Sequence, residues 1–357
     1  LTELLTQEKY GVGQMAVESA QMTSALQQAL QSKSLQRPAQ SYWEVALHTL
    51  RGDRLTIAAL VFVLGIALVA YGANLITSAL GVSPNATNPT NAYQAPYLWP
   101  YLQWRLGNDP LTAPLMLGKS EGVVHWLGTD QLGRDLLARL LYGGRISLTI
   151  GLVGALIAMV LGVLVGGVAG YFGGWVDDLL MWLVNTLTTI PTIYLLIIIN
   201  AIFRPSPTTL TLFFGLLGWF GTARFMRGQV FKVRTLDYAL AARATGVNDL
   251  RILLRHIMPN CIPLIIVLTA LDVGGLILGE SILSSLGLGV QPPVPSWGNM
   301  LDRGQTFLSL RDPQTGNLMA LHLILLPGLL TTLTVLTFAL IGDGLRDALD
   351  PTLKNKK

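Results

Sequence analysis

Charge is what this sequence has least of. Only 12% of its 357 residues are Asp, Glu, Lys or Arg, about half the share of a soluble domain. A water-soluble globule of this length could not cover itself with so few charges, so a soluble enzyme is excluded. Cysteine is nearly absent as well: Cys261 stands alone, which excludes an internal disulfide framework and a thiolate metal cluster. Four histidines (His48, His125, His256 and His322) are too scattered to form a metal site. Twenty-four basic against 20 acidic residues leave +4, too weak a balance to point to nucleic acid. What remains is apolar: 51% of the residues are hydrophobic and the mean hydropathy is +0.52. Such a chain is an integral membrane protein.

A spanning helix needs about 20 apolar residues to cross roughly 30 Å of hydrocarbon. Residues 55–76, 146–176, 179–203 and 205–223 contain no charge. A fifth apolar stretch, 260–286, is interrupted by Asp272 and Glu280, and a sixth lies between Asp312 and Asp343. The expectation is an all-α integral membrane protein with six transmembrane helices; a β-barrel would show short alternating segments. Residues 1–40 lack a signal-type apolar run and read as a tail, either lying on a surface or partly disordered. Residues 41–54 place Trp43, Leu47 and Leu50 on one helical face, as an interfacial helix or a plain juxtamembrane segment would. The first transmembrane helix is then 55–76, an external loop 77–144, the membrane core 145–342 and a C-terminal tail 343–357.

Basic residues set the orientation. Five precede residue 55 (Lys9, Lys33, Arg37, Arg51, Arg54) and seven lie between spans four and five (Arg224, Arg227, Lys232, Arg234, Arg243, Arg251, Arg255). Four more follow span six (Arg346, Lys354, Lys356, Lys357). All fall on one side of a six-span chain. The positive-inside rule makes that side the cytoplasm, with both termini in it. In the external loop, Pro84, Pro89, Pro96, Pro100, Pro110 and Pro114 exclude a long helix. Tyr93, Tyr97, Trp99, Tyr101 and Trp104 fit a folded cap and interfacial anchors equally well.

Within the membrane, Gly154, Ala158, Gly162, Gly166, Gly170 and Gly174 recur every fourth residue, a ridge suited to close packing or to sliding helices. Pro191 and Pro327 are candidate helix hinges. Asp272 and Glu280 lie about 80° apart around one helix. They either line a polar translocation path or pair with neighbouring helices.

The most informative segment is the cytoplasmic loop 224–259. Leu236, Ala239, Leu240 and Arg243 share a helical face, Gly246 breaks the pattern, and Asn248 can cap a second helix with Leu250, Leu254 and Ile257 on one face. Pro259 marks the start of span five. Two short amphipathic helices joined at a glycine are suited to a groove on another protein.

Ala241-Ala242, Gly246 and Pro259 resemble the cytoplasmic loop of bacterial ABC-importer permeases, the subunits that dock on an ATPase. Leu240 stands where a glutamate is usual, and Met258 where a leucine is. The run from Gly128 through Asp135 to Leu148 is similar to the lead-in to span two in C-type subunits of dipeptide, oligopeptide and nickel permeases. Residues 286–301 resemble their outer loop, with Ser285 in place of a phenylalanine, and residues 342–351 match their C-terminal end. The resemblance covers roughly residues 43–351, leaving out 83–120. It implies type I importer architecture in a bacterial plasma membrane, transport of peptides or related small solutes, and half of a pore shared with a second permease. It also implies two ATP-binding subunits, an extracytoplasmic substrate-binding protein, and docking through Leu240, Ala241, Ala242, Gly246, Asn248, Asp249 and Arg251. ATP and Mg would be used by the partner subunits. The chain itself would bind no cofactor and have no catalytic residue.

Two rival readings have less support. Gly118-Lys119-Ser120 mimics the end of a P-loop, but its first glycine would fall on Ala113. Gly279-Glu280-Ser281-Ile282 lacks the second glycine of a membrane serine-protease motif. An ion-coupled secondary transporter for a small polar solute is the stronger alternative, but six spans show no inverted repeat.

Overall fold

The computed structural model describes residues 42–94, 96, 119–120, 123–203, 206–302, 309 and 320–349. The tail 1–40, the aromatic residues Tyr97, Trp99, Tyr101 and Trp104, and residues 350–357 lie outside the described residues. The chain divides into Leu1–Gly52 and Asp53–Lys357. In the first unit, α1 (Tyr42–Gly52) covers most of residues 41–54, with Leu47 exposed and Arg51 in its last turn.

The second unit begins with α2 (Arg54–Tyr71), capped by Asp53, which accepts from the Leu55 N–H at 3.0 Å and from the Thr56 hydroxyl. The expected helix over 55–76 is divided at Gly72, where a Cβ would stand 2.8 Å from the Leu68 carbonyl; α3 (Ala73–Leu80) follows and ends on Gly81 at φ +68°.

Next comes α4 (Leu136–Phe172), 37 residues long. At 1.5 Å per residue it measures about 55 Å, well beyond the hydrocarbon thickness. It starts inside the segment expected to be external loop up to residue 144. Arg134, Arg139 and Arg145 disguise that start in the sequence, but Asp135 caps the helix through the Ala138 N–H at 2.7 Å and Asp130 pairs with Arg134 and Arg139. At its other end Gly173 and Gly174, both at positive φ, turn the chain before residue 176. The third predicted span is two helices, α5 (Gly174–Thr188) and α6 (Thr192–Ile202), bent by 72° at the break that holds Pro191. Pro191 is thus the cap of a new helix and not a kink within one.

Then α7 (Pro207–Val233) lies along α4. The glycine ridge is what lets it approach. A Cβ at Gly166 would overlap the Ala223 carbonyl, one at Gly162 would stand 2.6 Å from Thr222 Cβ, and one at Gly170 would stand 2.7 Å from the Arg227 carbonyl. The remaining helices are α8 (Asp237–Ala244), α9 (Asp249–Ile252), α10 (Met258–Ser285), α11 (Trp297–Met300) and α12 (His322–Leu349). Pro327 is buried inside α12, its carbonyl taking the Thr331 hydroxyl at 2.8 Å. The exception to helix among the named elements is a two-stranded antiparallel ladder, β1 (Lys119–Ser120) with β2 (Val123–Val124). Lys119 and Ser120 therefore do not open a helix as a P-loop requires.

Four helical runs are long and apolar enough to cross a membrane: Arg54–Tyr71, Leu136–Phe172, Asp249–Ser285 and His322–Leu349. The bent pair α5 and α6 raises the number to five. The fourth expected span falls on α7, which is not among them; Arg224, Arg227 and Lys232 lower its hydropathy.

Candidate functional site

The segment around Gly246 is built as its sequence suggests, with one shift of phase. Gly246 adopts φ +77°, a left-handed conformation that suits glycine, and separates α8 from α9. Asn248 caps α9, its side chain accepting from the Leu250 N–H at 2.9 Å. After α9 a π turn spans Leu253–Ile257, where the Met258 N–H reaches back five residues to the Leu253 carbonyl. It lies just ahead of Pro259, which has no N–H to give to a regular helix. The expected second short helix is therefore continuous with span five, as one run over Asp249–Ser285. The wide turn also rotates the faces. Ile252, Leu253 and Ile257 point inward, while Leu250 and Leu254 are 58% and 56% exposed, so the expected face of Leu250, Leu254 and Ile257 does not form. On α8, Ala239 alone of its expected face is buried; Leu236 and Leu240 are exposed.

A small apolar core underlies this segment: Tyr171 from α4, Met226, Val230 and Val233 from α7, Ala239, Ile252, Leu253, Ile257 and Cys261. Polar contacts tie it down further. The Tyr171 hydroxyl donates to Asp249 Oδ1 at 2.5 Å, and Arg243 lies 5.4 Å from the centre of the Tyr171 ring. The Tyr171 hydroxyl raises the Arg243 pKa further, so the guanidinium stays charged. Of the predicted docking residues, Leu240, Ala241, Gly246, Asn248, Asp249 and Arg251 are exposed and Ala242 is half-buried against the core. Asp249 serves an internal bond to α4 as well as this surface.

Sequence reasoning assigned the nearby basic residues to membrane orientation and missed their contacts. Arg234 Nη1 donates to the Gly170 and Tyr171 carbonyls, both at 2.9 Å, and so closes the C-terminus of α4. Arg227 makes a two-pronged contact with Asp177 of α5, and Arg224 bonds Asn185 and Thr188. Each pairs α7 with a neighbour. The recurring i, i+3 spacing of Arg224 and Arg227 was the available signal.

At the opposite ends of α4 and α10 lies the second predicted feature. Glu280 is fully buried. Its carboxylate accepts from Ser147 of α4 at 2.9 Å, from Ser284 at 2.7 Å and from Ser296, the cap of α11, at 2.8 Å. Ser147 in turn accepts the Trp297 N–H at 3.2 Å, and the Trp297 indole donates to the Leu140 carbonyl at 3.0 Å. Gly143 and Gly144 leave room for this: a Cβ at Gly144 would press the Trp297 ring at 2.7 Å. Glu280 thus fastens α11 to α4 and α10. Asp272 is elsewhere, half-buried and bonded by Thr222 of α7 at 3.2 Å. The two acids are not brought together.

These features define a helical membrane protein with an apolar, helix-built surface at one end and a closed polar junction at the other. Residues 158–355 match the family described as binding-protein-dependent transport system inner membrane component. The dipeptide transport system permease protein DppC of Alkalihalophilus pseudofirmus is 35% identical over 320 residues, covering 90% of this chain and 93% of that protein. DppC of Bacillus subtilis is 41% identical over 64% of this chain and 69% of its own length. The oligopeptide transport system permease protein OppC of Haemophilus influenzae is 38% identical over 72% and 78%. The chain belongs to the permease family of peptide ABC importers, as a multi-pass, non-catalytic membrane component. In this family ATP hydrolysis lies with partner ATPase subunits.

Proposed function

We propose that this chain is the permease subunit of an ATP-driven importer in a bacterial plasma membrane, forming half of a pore for peptides or related small solutes with a second homologous permease. Its partners are two ATP-binding subunits, which use ATP and Mg, and an extracytoplasmic substrate-binding protein. Six spans are α2, α4, the pair α5 and α6, α7, α10 and α12, with both termini in the cytoplasm. Counting α7 as a span is supported by its packing along α4 and by the bonds that absorb Arg224 and Arg227. Positive-inside orientation then puts the Gly246 segment in the cytoplasm.

The observation that carries this reading is the Gly246 segment itself. It exposes Leu236, Leu240, Leu250 and Leu254 yet rests on a core shared by α4, α7 and α10. A push by a nucleotide-dependent partner on α8 would pass through that core to three long helices, biasing an inward-open against an outward-open state. Pro327 and the bend at Pro191 are the hinges of this movement. Asp272, half-buried between α7 and α10, is the better candidate for the path; Glu280 serves the junction.

Gentle purification of the subunit from its native membrane, with mass spectrometry of what accompanies it, tests the proposal. A second permease and ATP-binding subunits are the expected companions. Recovery alone or as a homo-oligomer in several detergents would overturn it.

A further inference from the structure

Beside α11, at the Glu280 end, a recess is lined by Asp130, Arg134, Arg139 and Asp302, with Met300 and Leu323 on its apolar side. Arg134 and Arg139 are only 7% and 4% exposed. Asp130 Oδ2 takes Arg134 Nε at 2.7 Å and Arg139 Nε at 3.4 Å, while Oδ1 is occupied by the Leu132 and Arg134 backbone N–H groups. Arg139 Nη1 also donates to the Pro84 carbonyl at 3.3 Å. Among the described residues, both terminal nitrogens of Arg134 and Nη2 of Arg139 have no partner. Two buried cations thus share one buried carboxylate, and their spare donors line the recess. These donors open onto the recess, and a planar guanidinium fork matches a carboxylate with two parallel hydrogen bonds.

We propose that this recess is a binding site for a carboxylate, held by the terminal nitrogens of Arg134 and Arg139, with Met300 and Leu323 against the short apolar part of the ligand. The single positive charge in excess among Asp130, Arg134 and Arg139 suits a monoanion. The carboxylate comes either from the C-terminus of a small peptide or from an acidic side chain of a docking protein. Its arrival from outside the cell rests on the orientation proposed above.

The test uses the full chain in nanodiscs, with N-acetylalanine and N-acetylalaninamide as probes and saturation-transfer NMR as the readout. The acid is expected to bind at least about tenfold more tightly than the amide, the scale of one charge-assisted hydrogen bond. Arg134→Lys keeps a cation beside Asp130 but removes the fork, and should lose about that factor. An unchanged Tm of the Arg134→Lys chain guards against a merely misfolded variant. Equal binding of acid and amide, or inorganic phosphate competing as well as the acid, would overturn the proposal. Saturating N-acetylalanine that blocks docking of the substrate-binding protein would support the site with the partner's side chain as its source. Undisturbed docking would support it with free peptide as the source. Because the probes bind the chain alone, failure here leaves the importer reading intact, and absence of ATPase partners leaves this site intact.

Discussion

The two ends of α4 and α10 solve opposite problems. At the Glu280 end, polar groups turn inward: a carboxylate meets three hydroxyls, and Trp297 is buried over Gly143 and Gly144. At the Gly246 end, leucines turn outward over a core of nine buried residues. At the first end the Glu280 carboxylate finds all its partners within the chain. The second leaves Leu236, Leu240, Leu250 and Leu254 exposed, the surface on which docking is proposed. Buried polar junctions resist change because each broken hydrogen bond strands a partner, so the Glu280 end is the fixed frame. Exposed leucines contribute little to the fold, so changes at the Gly246 end should cost little stability.

The largest expected effect breaks the fixed frame. Glu280→Ala leaves three buried hydroxyls without their acceptor and opens a cavity, a loss of about 3–5 kcal/mol, readable as a lowered Tm of the purified subunit. Glu280→Gln keeps the volume and one oxygen and should lose less, with uptake retained; altered substrate preference in that variant would return Glu280 to the translocation path. Smaller is Arg234→Ala, which uncaps α4 next to the Gly246 core. Its stability should fall by about 1–2 kcal/mol, seen as faster hydrogen exchange in the last turn of α4. Least is Leu250→Ser, at a side chain 58% exposed: under about 0.5 kcal/mol in stability, with ATP-driven uptake reduced all the same. A loss of stability at Leu250 equal to that at Glu280 would erase the distinction between the two ends.

Hydropathy alone located α2, α4, α10 and α12, because a uniform hydrocarbon phase selects long uncharged helices whatever their packing. It failed where charges are neutralised locally. Arg134 and Arg139 read as loop until Asp130 pairs with them, and the uncharged run 205–223 read as span four continues as helix through Arg224 and Arg227, which bond to α5. Gly246 and the cap at Asn248 were legible, since φ > 0 and N-caps have narrow residue preferences. The outward turn of Leu250 and Leu254 was not. A helical wheel assumes one period, and the π turn at Leu253–Ile257 changes it. Glu280 could be singled out as a costly charge, but two of its three hydroxyl partners, Ser147 and Ser296, lie 133 and 16 residues away in the chain.

The most direct measurement of the central claim is ATPase co-purification and ATP-driven uptake with Ala241→Asp, an exposed position in the middle of α8, alongside the Tm of the subunit. The account predicts an inserted subunit of unchanged Tm that has lost its ATPase or no longer couples hydrolysis to uptake. Wild-type uptake by Ala241→Asp would contradict it.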